Sequence, residues 1–231
     1  MSLELINLSA QAPSQALFSG INATIGPADV LAVMGPSGSG KTTLLNLIAG
    51  FADPPVRWGG EVWLAGERLC HQPPHKRRLG LVFQSPLLFP HLSVGQNLGF
   101  GVPGNVPAAD RRARVDDALD QAGLGGVFDR DPQTLSGGQR ARASLLRTLL
   151  SEPRALLLDE PFSALDEATK DDVRAFTAAQ IERYGLPTLL VTHDPRDAES
   201  LGADVLHLCG GATAKTGSLP APANWAKGSN V

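Results

Sequence analysis

The sequence predicts an α/β fold: a mainly parallel β-sheet, a flanking antiparallel β layer and an inserted helical lobe. Three observations carry this reading. Short runs rich in Val, Leu and Ile alternate with helical patterns, as in proteins built on a parallel sheet. The middle runs lead into polar residues, which is where a doubly wound sheet places its ligand crevice, at the carboxyl ends of its strands. Between about residues 85 and 150 the strand-like runs give way to helical ones.

In chain order, the first thirty residues and the segment 61–64 are expected to form the antiparallel layer. Strands are predicted at Val30–Met34 and at 79–83, 155–158, 188–192 and 205–208, each run being too short for a helix. Helices are predicted at 94–100, 110–122 and 137–150, with a Pro/Gly-rich break at 101–107. One more helix–strand unit follows His193. The tail from Gly210, rich in Gly, Ala, Ser and Pro, is expected to be loosely ordered. The expected organisation is one domain over 1–209, with its core at about 1–84 and 151–209, a helical lobe at about 85–150, and a tail at 210–231.

A chain of 231 residues that is 42% hydrophobic can bury a core in one domain with a subsidiary lobe. A net charge of -3 argues against a partner held by broad electrostatic attraction, whether nucleic acid or an acidic membrane surface. Two cysteines, Cys70 and Cys209, make a disulfide framework an unexpected feature and a reducing cytoplasm the expected setting. The opening MSLELINLSA carries an early Glu and lacks the basic-then-apolar pattern of a secretory signal. No run reaches the roughly 18 apolar residues needed to cross a bilayer, so work at a membrane would require a partner that holds the chain there.

Val30–Met34 runs into Gly35-Pro36-Ser37-Gly38-Ser39-Gly40-Lys41-Thr42, then Thr43 and a helical pattern to Ala49. This is a phosphate-binding loop in its strand–loop–helix setting. Successive backbone N–H groups at a helix N-terminus cradle phosphates, and glycines let the backbone approach them. Lys41 supplies a point charge to the β- and γ-phosphates, and the Thr42 hydroxyl suits Mg²⁺. A second strand, 155–158, ends in Asp159-Glu160. Asp159 suits Mg²⁺ or its water shell, and Glu160 suits a general base that polarises an attacking water.

Leu135-Ser136-Gly137-Gly138-Gln139 stands just before the helix at 137–150 and upstream of Asp159, and it reads as the signature motif of the ABC ATPases. Gln84 matches that family's Q-loop, Ser163-Ala164-Leu165-Asp166 its D-loop, and His193 within Val191-Thr192-His193-Asp194 its H-loop. Five motifs in family order make the chain resemble an ABC ATPase from about residue 3 to 208. The resemblance implies a P-loop NTPase core, ATP and Mg²⁺ as ligands, and hydrolysis to ADP and phosphate. It also implies a head-to-tail dimer with ATP sandwiched between copies, in which Ser136, Gly137, Gly138 and Gln139 of one copy cap the nucleotide on the other. Gln84 would approach Mg²⁺ and the attacking water, His193 the γ-phosphate, and Asp166 would pack across the dimer.

Within the family the chain is most similar to small bacterial import ATPases, YnjD-type subunits above all and thiamine-type subunits more distantly, on 87–98 and 137–142. That similarity implies separate transmembrane permease subunits, a substrate-binding protein, no nucleic-acid partner, and a peripheral place on the cytoplasmic face of the inner membrane. A non-import complex, of lipoprotein-release or cell-division type, is the alternative. Chromosome-structure relatives carry long coiled coils, and no sustained heptads lie between the P-loop and the signature. Tandem translation factors carry two modules, and one P-loop and one signature are present. The added C-terminal regulatory domain of maltose-type relatives is not expected here.

One stretch departs from the family pattern. Where relatives stack an aromatic on adenine, this chain has Ala10-Gln11-Ala12-Pro13-Ser14, and Phe18 falls at an apolar strand position. The expectation is weak discrimination between ATP and GTP. Cys70-His71 with His75 lies in a Pro-rich connection without a matching second pair and is read as loop, not metal site. Phe83, Leu87, Leu88 and Phe89 are read either as lobe core or, by the resemblance, as part of a groove that receives a helix of the membrane subunit.

Overall fold

A computed structural model describes residues 1–51, 56–211 and 215–217. The chain opens with β1 (Leu3–Ala12), β2 (Gln15–Ile25), β3 (Val30–Met34) and α1 (Lys41–Ala49), followed by β4 (Arg57–Leu64), β5 (Glu67–Arg68) and β6 (Leu79–Val82). A helical stretch comes next: α2 (Val94–Gly99), α3 (Ala108–Gln121) and α4 (Gly137–Leu149). The chain then alternates β7 (Ala155–Asp159), α5 (Glu167–Tyr184), β8 (Thr188–Val191), α6 (Pro195–Ser200) and β9 (Asp204–His207), and a short β10 (Lys215–Gly217) follows.

Two sheets result. One is antiparallel, in the order β2-β1-β4-β5; the other runs β10-β9-β3-β8-β7-β6, parallel from β9 to β6. Every residue of β3 and β8 is buried, as expected of central strands covered on both faces, and their sequences are correspondingly apolar except for Thr188, whose hydroxyl donates to Leu186 O. On one face of the parallel sheet, Leu31, Val33 and Leu157 pack with Leu44 and Ile48 of α1 and with Leu3, Leu5 and Ile21 of the antiparallel layer. On the other, Val30, Ala32, Leu156 and Leu158 pack with Phe162 and with Val173 and Ile181 of α5. A third core, with Val94, Leu98, Val115, Leu119 and Leu146 among its members, is built by α2, α3 and α4.

One feature differs from what the sequence led us to expect, and one pair of alternatives narrows. Lys215–Gly217 is an antiparallel strand on β9, where the sequence reading placed a loosely ordered tail; residues 212–214 and 218–231 lie outside the described residues. An exposed edge strand offers a free ladder, and even a short, Gly-bearing segment can pair with it. Phe83 and Leu87 are 41% and 56% exposed, so they are not lobe core, whereas Leu88 packs partly against that core. Phe89 lies against Phe100, ring centroids 5.2 Å apart, with the Arg147 guanidinium 5.4 Å from its ring centre.

Arg77, only 5% exposed, fixes the far end of α1. Its Nη1 donates to the carbonyls of Leu47 and Ile48 at 2.9 and 2.7 Å, and its Nε donates to Gln72 O at 2.9 Å. These carbonyls belong to the last turn of a helix, where acceptors lack intrahelical donors and a cation meets the negative end of the dipole. Gly50, which ends α1 at φ 90°, leaves room for the guanidinium, since a Cβ there would lie 2.7 Å from Arg77 Nε. Arg77→Ala is expected to lower the unfolding free energy by about 2 kcal/mol, because it strands buried acceptors. Urea denaturation measures this, and a loss below about 0.5 kcal/mol, the level of an ordinary surface substitution, would contradict the capping role.

Candidate active site

The parallel sheet delivers the chemistry-bearing residues to one edge, the carboxyl ends of its strands. After Met34 the chain turns through residues 35–40 into α1. Gly35 sits where a Cβ would come within 2.3 Å of the Leu208 carbonyl, so a side chain cannot pass the end of β9 here. Gly40 enters α1 at φ 95°, a left-handed conformation that favours glycine. Lys41 Nζ donates to the carbonyls of Gly35 and Pro36 at 2.9 and 3.0 Å, so the loop curls around the ammonium. Pro36, Ser37, Gly38 and Thr42 are exposed on its rim, and Thr43 is half-buried.

Ser39 is buried, and among the described residues its Oγ has no hydrogen-bond partner. An unpaired buried hydroxyl is unfavourable in an isolated protein and marks a place where a polar ligand can complete the bonding. Asp159 ends β7. Burial first, then the neighbouring Glu160 carboxylate, push its carboxyl above the usual carboxylate range, and the Lys41 ammonium opposes both. The site thus holds an acid short of positive charge close to the loop lysine.

Glu160 has φ 46°, uncommon for a residue with a side chain. The turn is fixed on both sides: Glu160 N donates to Val191 O at 2.8 Å, and Glu160 O accepts from Ser163 Oγ at 2.9 Å and Ser163 N at 3.2 Å. Backbone strain of this kind, held by its surroundings, is common at functional turns. The carboxylate Oε1 lies 3.3 Å from Nδ1 of His193, whose side chain is otherwise 62% exposed. Gln84, exposed, follows β6 beside β7 and stands on the route from the sheet to the lobe.

Residues 136–139 form a separate cluster. Ser136 Oγ accepts from Gln139 N at 3.2 Å while Gln139 Oε1 accepts from Ser136 N at 2.9 Å, a reciprocal cap on α4. Gly137 and Gly138 are small because α5 and the turn before it lie against them: a Cβ would be 3.2 Å from Leu165 Cδ2 in the first case and 2.5 Å from Thr169 Cγ2 in the second. Asp166 caps α5 through Thr169 N at 3.0 Å and Thr169 Oγ1 at 2.8 Å, which hold its carboxyl below the usual range. Among the described residues no hydrogen bond joins 136–139 or Asp166 to the loop 35–43. The structure therefore brings together Lys41, Asp159, Glu160 and His193 and leaves the α4 terminus apart.

Sequence reasoning missed the residues that hold the His193 turn. Thr192 and Asp194, on either side of it, are tied to a buried cluster around Arg174. An Asp171–Arg174 spacing is visible along α5, but it marks the exposed partner and not the buried ones. On the side facing β1, the turn Pro13-Ser14 carries no aromatic, and Phe18 is buried in the core behind Gly40. Cys70 Sγ accepts from Val62 N at 3.2 Å and packs against the first core.

Comparison with known proteins gives this geometry a lineage. The family model described as ABC transporter matches residues 18–163. The ABC transporter ATP-binding protein YnjD of Escherichia coli (strain K12) is 44% identical over 191 residues, spanning 83% of this chain and 88% of that one. The thiamine import ATP-binding protein ThiQ of Mesorhizobium japonicum is 45% identical over 193 residues, 83% of this chain and 75% of its own. A solved dimeric post-hydrolysis state of the ATP-binding cassette MJ0796, bound to ADP and Pi, superposes with TM-score 0.77 at 28% identity, covering 95% of this chain and 99% of that one. A family match over most of the chain, relatives this similar and an ATPase fold of the same extent converge: the chain belongs to the ABC transporter family, as an ATP-binding subunit that hydrolyses ATP in the service of transport.

Proposed function

We propose that this subunit energises import through separate transmembrane permease subunits, working with a substrate-binding protein, by closing head to tail on a second copy around two ATP molecules and reopening after hydrolysis. The observation that carries the reading is the split site. The phosphate loop, Asp159, Glu160 and His193 share one sheet edge, while the capped N-terminus of α4, another anion-seeking group, has no hydrogen bond to them among the described residues. A second copy supplies what one copy leaves apart.

In this reading Gly35, Pro36, Ser37, Gly38, Ser39, Gly40, Lys41, Thr42 and Thr43 hold the triphosphate, through backbone N–H groups, the Lys41 ammonium and the unpaired Ser39 hydroxyl. Thr42, Gln84 and Asp159 would hold Mg²⁺; the raised Asp159 carboxyl is a fit for a cation that would lower it. The metal would neutralise charge on the β- and γ-phosphate oxygens. Glu160 accepts the proton of the attacking water, in an orientation fixed by its own strained turn. His193, beside the Glu160 carboxylate, contacts the γ-phosphate. Ser136, Gly137, Gly138 and Gln139 cap the nucleotide on the facing copy, and Asp166 meets the dimer seam.

Membership of the ABC transporter family supports a peripheral place on the cytoplasmic face of the inner membrane, held by the permease; no described helix is long and apolar enough to cross a membrane. The exposed Phe83 and Leu87, with the Phe89–Phe100 pair, support docking of a permease helix there. The core at about 1–84 and 151–209 would move against the lobe at about 85–150 around Gln84, which reports the γ-phosphate to that surface.

Glu160→Gln is expected to bind ATP with little loss and to slow turnover by about 10² to 10⁴. With Mg²⁺-free ATP it should shift from monomer to dimer in size-exclusion chromatography with light scattering; retained turnover would reject the general-base role. The absence of an aromatic at Ala12 and its neighbours motivates the expectation of weak base selectivity, with ATP and GTP affinities within about tenfold of each other. Competition binding measures the ratio, and a hundredfold preference for ATP would overturn this expectation.

A further inference from the structure

Arg174, in the middle of α5, is the largest fully buried side chain among the described residues, at 2% exposure. Its Nε donates to Asp197 Oδ1 at 2.8 Å, its Nη2 to Asp194 Oδ2 at 3.0 Å and its Nη1 to Asp171 Oδ1 at 3.0 Å. The other Asp197 oxygen accepts from Thr192 Oγ1, and that hydroxyl accepts from Asp194 N at 3.1 Å. The residues immediately before and after His193 are therefore both bound into one charge cluster centred on the guanidinium. The same guanidinium lies 6.0 Å from the ring centre of Phe162, which is buried two residues beyond Glu160. His193 itself lies against the Glu160 carboxylate, Nδ1 to Oε1 3.3 Å.

We propose that Arg174 is a positioning residue for hydrolysis: it fixes the turns that carry His193 and Glu160 relative to each other, and so sets the geometry of the pair. The inference rests on the reading that this pair serves the attacking water. Its physical basis is the planar fork of the guanidinium, which satisfies Asp197 and Asp194 at defined angles and so dictates where the turn between them lies; a lysine ammonium neutralises the same charge without dictating direction. The three carboxylates differ in what they do. Asp197 is buried and Asp194 mostly so, whereas the Asp171 side chain is 82% exposed, so its contact is screened and orients nothing.

Arg174→Ala strands the buried Asp197 and risks the fold, so Arg174→Lys and Asp194→Asn are the informative variants, with Asp171→Asn as the control. Steady-state ATPase assays, with thermal unfolding recorded alongside, are expected to show kcat about 10- to 100-fold lower for Arg174→Lys and Asp194→Asn, with KM within about threefold of the parent. Asp171→Asn should match the parent. In the Arg174→Lys background, His193→Ala should cost far less than it does alone, because the histidine is already out of place. A merely structural role predicts the opposite: losses that follow thermal stability, act on kcat and KM together, and multiply with His193→Ala. Either that pattern or an unchanged kcat in a folded Arg174→Lys protein overturns the proposal. If His193→Ala alone retains full turnover, it is the role assigned to the pair that fails.

Discussion

The pairing of β3, β8 and β7 is the constraint on which the site depends. Val33 stands opposite Val191, and Val191 opposite Asp159, so three strands end level with one another and their next residues emerge side by side. Slippage by one residue would turn Leu157, Leu189 and Val191 from one core to the other, with each face already filled. Apolar burial on both faces thus sets the height at which Lys41, Glu160 and His193 leave the sheet. The fold supplies proximity, and the short loops supply direction.

Residues with a proposed role in nucleotide capture also carry local structure. Ser136 and Gln139 cap α4 reciprocally, and Asp166 caps α5. In a helix N-terminus of this kind, the cap satisfies the N–H of Gln139 and leaves the preceding N–H groups of Gly137 and Gly138 as donors. The Ser136 hydroxyl, used as an acceptor in the cap, keeps its own proton to donate. Capping and anion capture are therefore compatible at one helix end. The close approach of Gly138 to Thr169 places that end beside the start of α5, so the two surfaces proposed for the dimer seam are neighbours within one copy.

How much of this was legible in the sequence follows from the range of the forces involved. The run Val30–Met34 is read correctly because a strand buried on both faces has no alternation to obscure it, and the other parallel strands agree to within about a residue. Loop 35–40 is legible because its glycines answer to local constraints, a left-handed turn at Gly40 and the passage of Gly35 beneath Leu208 O. The exposure of Phe83 and Leu87 is not, since hydrophobicity alone does not say whether an apolar side chain is buried or waiting for another surface. Nor is the Arg174 cluster: its buried carboxylates lie 20 and 23 residues away, joined to it only by the packing of α5 and α6 on the sheet. The positive φ of Glu160 is equally silent, because it is imposed by bonds from Val191 and Ser163 and not by the residue itself.

Two buried arginines divide the labour of holding the helices that frame the site. Arg77 faces carbonyls, two at the end of α1 and one at Gln72, where burial lowers its pKa and Cys70 opposes the shift; it fixes a helix end by donating to partial charges alone. Arg174 faces full carboxylates, and a buried ion network of this kind contributes more to a unique arrangement than to net stability, since removing both signs together can cost little while removing one is severe. That difference matters because of where each lies. α1 only has to keep its first turn beneath the phosphate loop, whereas the His193 turn is one side of a 3.3 Å contact between groups on separate strands. On the proposed roles of Glu160 and His193, directional bonding lies where a small displacement would separate the pair, and plain capping where it would not. Among the described residues, Gln84 and the His193 ring, exposed at the same edge, stand outside that network, so the proposed nucleotide-dependent movement would start from them without breaking the core.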